Sequence, residues 1–309
     1  MMLRLSRPWE AVLGELAALA SAFTWAATSV VLARLGTRYP ASVLSALRML
    51  LATPLVLAVL FATGGAADLG RAGALAVAAM AASGLVGYGL GDTTYIRSLR
   101  HVGLQRMVPT TTAVWVALSA AGGIVLLDEP LGWALLAGTL LVIAGTYLIV
   151  GEAAGALGDT VGAPRWGPRL ATLAVIGVAL CWTVATLLVA GARDELDATA
   201  IAAIRLPAGG LAVAAVSIAA TRGTVLRSLP RGRDLLSTLG IATFGTGLGS
   251  WLYLFAVTEA GAARAVVLNS TAPLMALPLA MLFLRERATR RIGAGTVLCL
   301  AGTFAVLAG

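Results

Sequence analysis

The sequence has no lysine, a single histidine and two cysteines in 309 residues, and only 12% of its residues are charged. A soluble domain carries about 25% charge. So little polar surface excludes an ordinary water-soluble enzyme and a disordered chain, which needs high net charge and low hydrophobicity. Two cysteines exclude a disulfide scaffold. Cys181 and Cys299 lie inside apolar runs, without the neighbours of a metal site or redox motif, and read as small packing residues. The lone His101 reads as a solvated residue of a short loop. No Asp-rich metal motif, His-Glu-x-x-His or Ser/His pair is present. An intramembrane enzyme acting on a lipid or isoprenoid therefore has little acid–base chemistry to draw on, and no cofactor or metal ligand set is implied.

What is present is hydrophobic: 59% of residues are apolar, with a mean hydropathy of +0.93. A membrane helix needs about 20 mainly apolar residues. Ten such runs are found, at 11–33, 41–63, 73–96, 105–127, 131–150, 169–191, 198–220, 235–257, 263–284 and 290–308. The expected class is an all-α integral membrane protein with ten transmembrane helices, multi-pass in the cell membrane. The first run, continuing to about Arg34, is long enough to span and reads as a retained helix rather than a signal peptide. The net charge of +8 comes from 22 arginines against 14 acids. They sit singly or in small groups between apolar runs, as loops would place them, so no nucleic-acid partner is expected.

The chain repeats itself. Gly87-Tyr-Gly-Leu-Gly91 matches Gly245-Thr-Gly-Leu-Gly249 at a shift of 158, with Tyr95 on Tyr253, Gly103 on Gly261 and Arg106 on Arg264. A shift of 157 pairs Trp25 with Trp182, Arg48 with Arg205, Glu129 with Glu286 and two Ala-Gly-Thr triplets, at Ala137 and Ala144, with those at Ala294 and Ala301. Matches of alanine and leucine are cheap in such a chain; matches of Trp, Arg and Glu at nearly one offset are not. The repeats are residues 1–151 and 168–309, joined by a polar linker at 152–167. Five spans per repeat is an odd number, so the second copy enters the membrane in the opposite sense. Inverted repeats are a recurrent plan of secondary transporters.

These motifs resemble the EamA-type transporters of the drug/metabolite transporter superfamily. The resemblance is carried by Trp25, the Leu47-Arg48 and Ile204-Arg205 pairs, the glycine-rich ends of spans 3 and 8, the Asp128-Glu129-Pro and Arg285-Glu286-Arg turns, and the Gly138/Gly145 and Gly295/Gly302 helices. It implies ten helices in two five-helix repeats, and exporters of amino acids, other metabolites or drugs. Arginine placement, 15 on one face against 5 on the other, puts both termini outside. Many members of the family resemble the reverse case, so orientation stays open.

Charge inside a span is costly, about 2.5–3.5 kcal/mol at a helix centre, and should face the bundle or a wet cavity. Arg48 and Arg205, eight residues into their spans, read either as a cationic wall for a substrate carboxylate or phosphate or as structural arginines at helix crossings. Asp92 follows the glycine segment of span 3, and its counterpart is Ser250. It reads as a coupling carboxylate that exchanges a proton, as a fixed partner of Arg48 or Arg97, or as a cap at the membrane edge. Glu15, opposite Thr172 in the repeat, reads as a headgroup carboxylate; the small multidrug exporters of the same superfamily resemble it in having a first-helix glutamate.

The glycine segments lack the strand and spacing of a nucleotide fingerprint and read as close packing or a bend beside the site. Trp25, Trp182, Tyr88, Tyr95, Trp251 and Tyr253 read as cavity lining or as packing and interfacial aromatics. Thr111 and Trp115 follow Pro109, and Asn269 and Thr271 precede Pro273, where a proline bends a span beside polar groups. The expected partners are the lipid bilayer and a small-molecule substrate, with no ATPase subunit; one chain already holds both halves, so a monomer suffices. A non-transporting membrane subunit is the remaining alternative.

Overall fold

Lipid offers no partner to a peptide group, so an apolar chain of this kind can satisfy its backbone only by coiling into helices or closing a barrel. The computed structural model describes residues 8–36, 38–102, 104–130, 132–156, 166–272, 274–275 and 290–308. Among them there are helices and turns, and no strand.

Helix α1 is Pro8–Gly36 and α2 is Ala41–Ala62, which starts directly after Pro40. Three segments, Ala74–Ser83, Gly84–Asp92 and Thr93–Val102, run on as one long element, α3, with a π-helical middle. Helices α4 (Leu104–Leu127) and α5 (Trp133–Ala156) complete the first half. In the second half α6 is Pro168–Gly191 and α7 is Ala198–Ala220, whose first turn is capped by Asp197 accepting from the Ala200 N–H at 2.7 Å. Element α8 joins Gly232–Gly240, π-helical Ile241–Leu248 and Gly249–Ala260; α9 is Ala262–Asn269 and α10 is Arg290–Ala308.

Seven described helices are long and apolar enough to cross a membrane: Trp9–Thr28, Ala41–Ala62, Ala74–Ser98, Thr110–Leu127, Arg169–Gly191, Ala198–Ala220 and Gly232–Ala260. The stretches Trp133–Leu148 and Gly293–Ala308 are shorter apolar helices. The ninth expected span, 263–284, falls partly outside the described residues, as do Pro273, the Arg285-Glu286-Arg turn and most of the 152–167 linker. Helix α5 runs through Ala156, past the expected span end at 150. Seven crossing-length helices make the protein a multi-pass integral membrane protein. Leu75, Val125, Trp133 and Leu173 lie exposed, as lipid-facing residues should.

The halves meet along matched pairs of elements. Helix α1 packs on α8, and its repeat equivalent α6 packs on α3; α2 packs on α7, and α5 on α10. The α5–α10 pair approaches backbone to backbone. A Cβ on Gly145 would fall 2.6 Å from the Gly295 carbonyl oxygen, and one on Gly302 would fall 2.7 Å from that of Gly138. Small residues are what allow such contact where helices associate in lipid. Glu129, in the turn after α4, receives the N–H groups of Ala262 and Ala263 at 2.6 and 2.9 Å and so caps α9 from the other half.

Candidate functional site

The site is built on the π-helical segment of α3. A π turn admits one extra residue, widens the helix and re-aims side chains, and such turns are frequent at functional sites. In α3 the segment begins at Gly84 and ends at Asp92, and in α8 its counterpart covers Ile241–Leu248. Of the two readings of the glycine segments, close packing is realised here, within a π-helical turn. A Cβ on Gly84 would sit 2.8 Å from the Arg205 Cα, and one on Gly91 3.0 Å from the Trp182 ring. The π-helical part of α3 is thereby pressed against α6 and α7 of the other half.

At the C-terminal end of that segment lies Asp92, 8% exposed. Its Oδ2 is ion-paired with Nη2 of Arg48 in α2. Its Oδ1 accepts from the Trp182 indole N–H at 2.8 Å. One carboxylate thus ties α2 and α3 to α6 across the repeats. Of the two readings of Asp92, the structure shows the pair with Arg48 in place. The Arg48 guanidinium also lies 5.8 Å from the centre of the Trp25 ring, within cation–π range.

Arg205 is as deeply buried as Arg48, both at 3% exposure, but its surroundings differ. It lies 4.7 Å over the Tyr88 ring. No carboxylate among the described residues pairs with it, and its Nε and Nη1 have no hydrogen-bond partner. Around the two arginines the aromatic side chains form one cluster. Trp182 packs on Tyr95 at 5.1 Å and edge-on to Trp115 at 5.6 Å, and Trp115 reaches Tyr253 at 6.1 Å. The Tyr253 hydroxyl shares a hydrogen bond of 2.7 Å with Thr186 and lies within electrostatic reach of Arg205.

The structure therefore brings together Asp92, Arg48, Arg205, Trp25, Trp182, Tyr88, Tyr95 and Trp115. The remaining expected residues stand apart from the described contacts of this cluster. Thr111 is fully buried with no partner for its hydroxyl, as is the side-chain oxygen of Asn269, while Thr271 donates to the Leu268 carbonyl at 2.7 Å. Tyr253, read from the sequence as cavity lining or packing, joins the site together with Thr186, which carried no signal of its own. Trp251 instead donates to Thr199 at 2.9 Å and stacks on Phe255.

Two other expectations are revised. Glu15 is not a headgroup carboxylate: it is 4% exposed and pairs at 2.7 Å with Arg264, whose side chain comes from α9 of the other half. His101 lies in the last turn of α3 rather than in a loop, stacked on Trp166 at 4.7 Å. Near the opposite end of α1, Tyr39 donates to Asp234 at 2.8 Å and Arg38 pairs with it at 3.4 Å. That hydrogen bond to a carboxylate, aided by burial, raises the Tyr39 phenol above its usual pKa. Contacts between the halves thus close both ends of α1. Among the described residues no group of three or more His, Cys, Asp or Glu could hold a metal ion.

Comparison with known proteins matches the repeat pattern. A family model described as the EamA-like transporter family matches residues 12–151 and again residues 169–308. No curated protein matches the sequence. A solved structure described as "Crystal structure of protein" is similar over 97% of this chain and 98% of its own, at 19% identity and a TM-score of 0.76, which shows a shared fold.

Proposed function

Because the chain belongs to the EamA-like transporter family, with both halves matched, we propose that it is a secondary transporter of the cell membrane that exports a small metabolite, amino-acid-like or drug-like, by alternating access. The supporting observation is the buried cluster of two arginines, one aspartate and packed aromatics where α2 and α3 meet α6 and α7. A packed core has no need of two arginines at membrane depth, since each costs free energy there; a polar substrate does.

In this reading residues 1–151 and 168–309 are inverted five-span repeats joined by 152–167, ten spans in all, which rock against each other around the cluster. The contacts Glu15–Arg264 at one end of α1 and Arg38–Asp234 at the other are the ones that must break in turn. Helices α5 and α10, bound mainly to each other, support the periphery. The bilayer and the substrate are the partners, energy comes without an ATPase subunit or cofactor, and one chain is sufficient.

Asp92 is the coupling group in this account. Its neighbours are Arg48 and Trp182, with Tyr95 and Cys181 within electrostatic reach. A proton taken up by Asp92 cancels its charge, breaks the pair with Arg48 and frees α2 from α3. The test compares metabolites released by cells making wild type or Asp92→Asn at matched membrane levels. Selective release of a compound by wild type, with its rate and pH dependence changed by Asp92→Asn, is the expected result. Equal release with the same pH profile removes Asp92 from coupling, and no selective release by wild type removes the exporter.

A further inference from the structure

The repeat places the same arginine twice, at Arg48 and Arg205, but supplies a counter-ion once. Asp92 pairs with Arg48. The residue at the equivalent position of the second repeat is Ser250, in α8, which packs against the helix that carries Arg205. Arg205 is consequently left as a cation at 3% exposure, with Nε and Nη1 unbonded. A charge buried without partner or water is strongly unfavourable, and an arginine fork is shaped to receive a planar carboxylate through two parallel N–H bonds.

Resting on the transporter reading above, we propose that Arg205 is the anion subsite of the substrate, and that the substrate is a small monocarboxylate with an apolar or aromatic body. The first repeat shows the chemistry the subsite recognises: a carboxylate held by one arginine nitrogen, Nη2, with the Trp182 N–H as a second donor. In the second repeat the carboxylate comes from the substrate, because the protein has a serine there. A single negative charge is selected by balance. Arg48 and Asp92 cancel, leaving one positive charge, so a monoanion brings the cluster to neutrality where a dianion would leave it negative. Tyr88 lies against the guanidinium and Tyr253 packs near Trp115, so the apolar body of the substrate would lie among these rings, and the Trp115 N–H is buried without an acceptor of its own. Gly87 lets α3 approach this closely, since a Cβ there would stand 2.7 Å from the Ala185 Cβ and 3.3 Å from Nη2 of Arg205.

The test uses the purified full chain in lipid nanodiscs and two probes of matched shape, 3-phenylpropionate and its neutral amide, with binding read by calorimetry. Wild type is expected to bind the acid and to bind the amide far more weakly. Arg205→Gln should weaken binding of the acid about 10- to 100-fold, the range of one lost charge-assisted hydrogen bond, and Arg205→Lys should keep part of it. Ser250→Asp keeps the arginine and supplies the missing counter-ion. It should abolish binding of the acid while raising the melting temperature, a combination that misfolding does not produce. Equal affinity for acid and amide, wild-type affinity in Arg205→Gln and Ser250→Asp, or no binding of the acid to wild type each overturns the subsite. Efflux of the acid from proteoliposomes separates the two readings. Arg205-dependent binding without movement of the acid keeps the subsite and removes the transporter. Movement at the wild-type rate by Arg205→Gln keeps the transporter and removes the subsite.

Discussion

Arg48→Met is expected to destabilise the protein by about 3–5 kcal/mol, the cost of leaving a buried carboxylate without its partner, whereas Arg205→Met, at the equivalent position of the other repeat, should be neutral or stabilising. The two arginines share a depth, a repeat position and 3% exposure, so helix propensity and burial cannot tell them apart. They differ in what faces them. Removing Arg48 strands Asp92, which keeps only the Trp182 N–H. Removing Arg205 strands nothing among the described residues and relieves an unpaired charge, at the loss of a cation–π contact with Tyr88 of about 0.5–2 kcal/mol. Thermal unfolding in detergent reads both. The double variant Arg48→Met with Asp92→Leu should recover most of the stability lost in Arg48→Met, since removing both charges leaves no ion behind. Equal destabilisation by the two single arginine variants would contradict the charge account.

The second large effect is expected at Gly84. Its hydrogen faces the backbone of Arg205, where a Cβ would come within 2.8 Å of Cα, and backbone cannot move aside as a flexible side chain can. Gly84→Leu should cost about 1–3 kcal/mol from overpacking and hold α3 away from α7. The chain still folds, but the π-helical segment no longer holds Tyr88 against Arg205. Transport should fall to background. Gly70→Ala is the control, because a Cβ there meets nothing within 4 Å, and it should transport as wild type does. A Gly84→Leu protein that transports normally would show that this contact is not needed in the cycle.

Much of this architecture was readable from residue types alone. Lipid-compatible backbone has few solutions, so the apolar runs that lie within the described residues became helices close to their expected limits, and the Trp and Arg repeats mark helices that pack as equivalent pairs. Asp92 stood out because its repeat partner is a serine, and that asymmetry is where the two arginines part company. What could not be read was contact across the halves. Glu15 finds Arg264 at a separation of 249 residues, and only the packing of α1 on α8 and α9 creates that pair. The π turns were hidden because glycine permits them without requiring them. Which arginine keeps its charge unpaired depends on Asp92 pointing towards α2, a direction set by the widened turn before it. His101 looked like a loop residue because the apolar run ends before it, while the helix continues for another turn to stack it on Trp166.

The central claim, that the two halves form one transport path, is tested most directly by loading proteoliposomes with a soluble metabolite extract and following the retained compounds by mass spectrometry. Vesicles with wild-type protein should lose one or a few small organic compounds selectively, compared with protein-free vesicles and with vesicles holding Gly84→Leu. Contents that decline identically in all three would contradict the account.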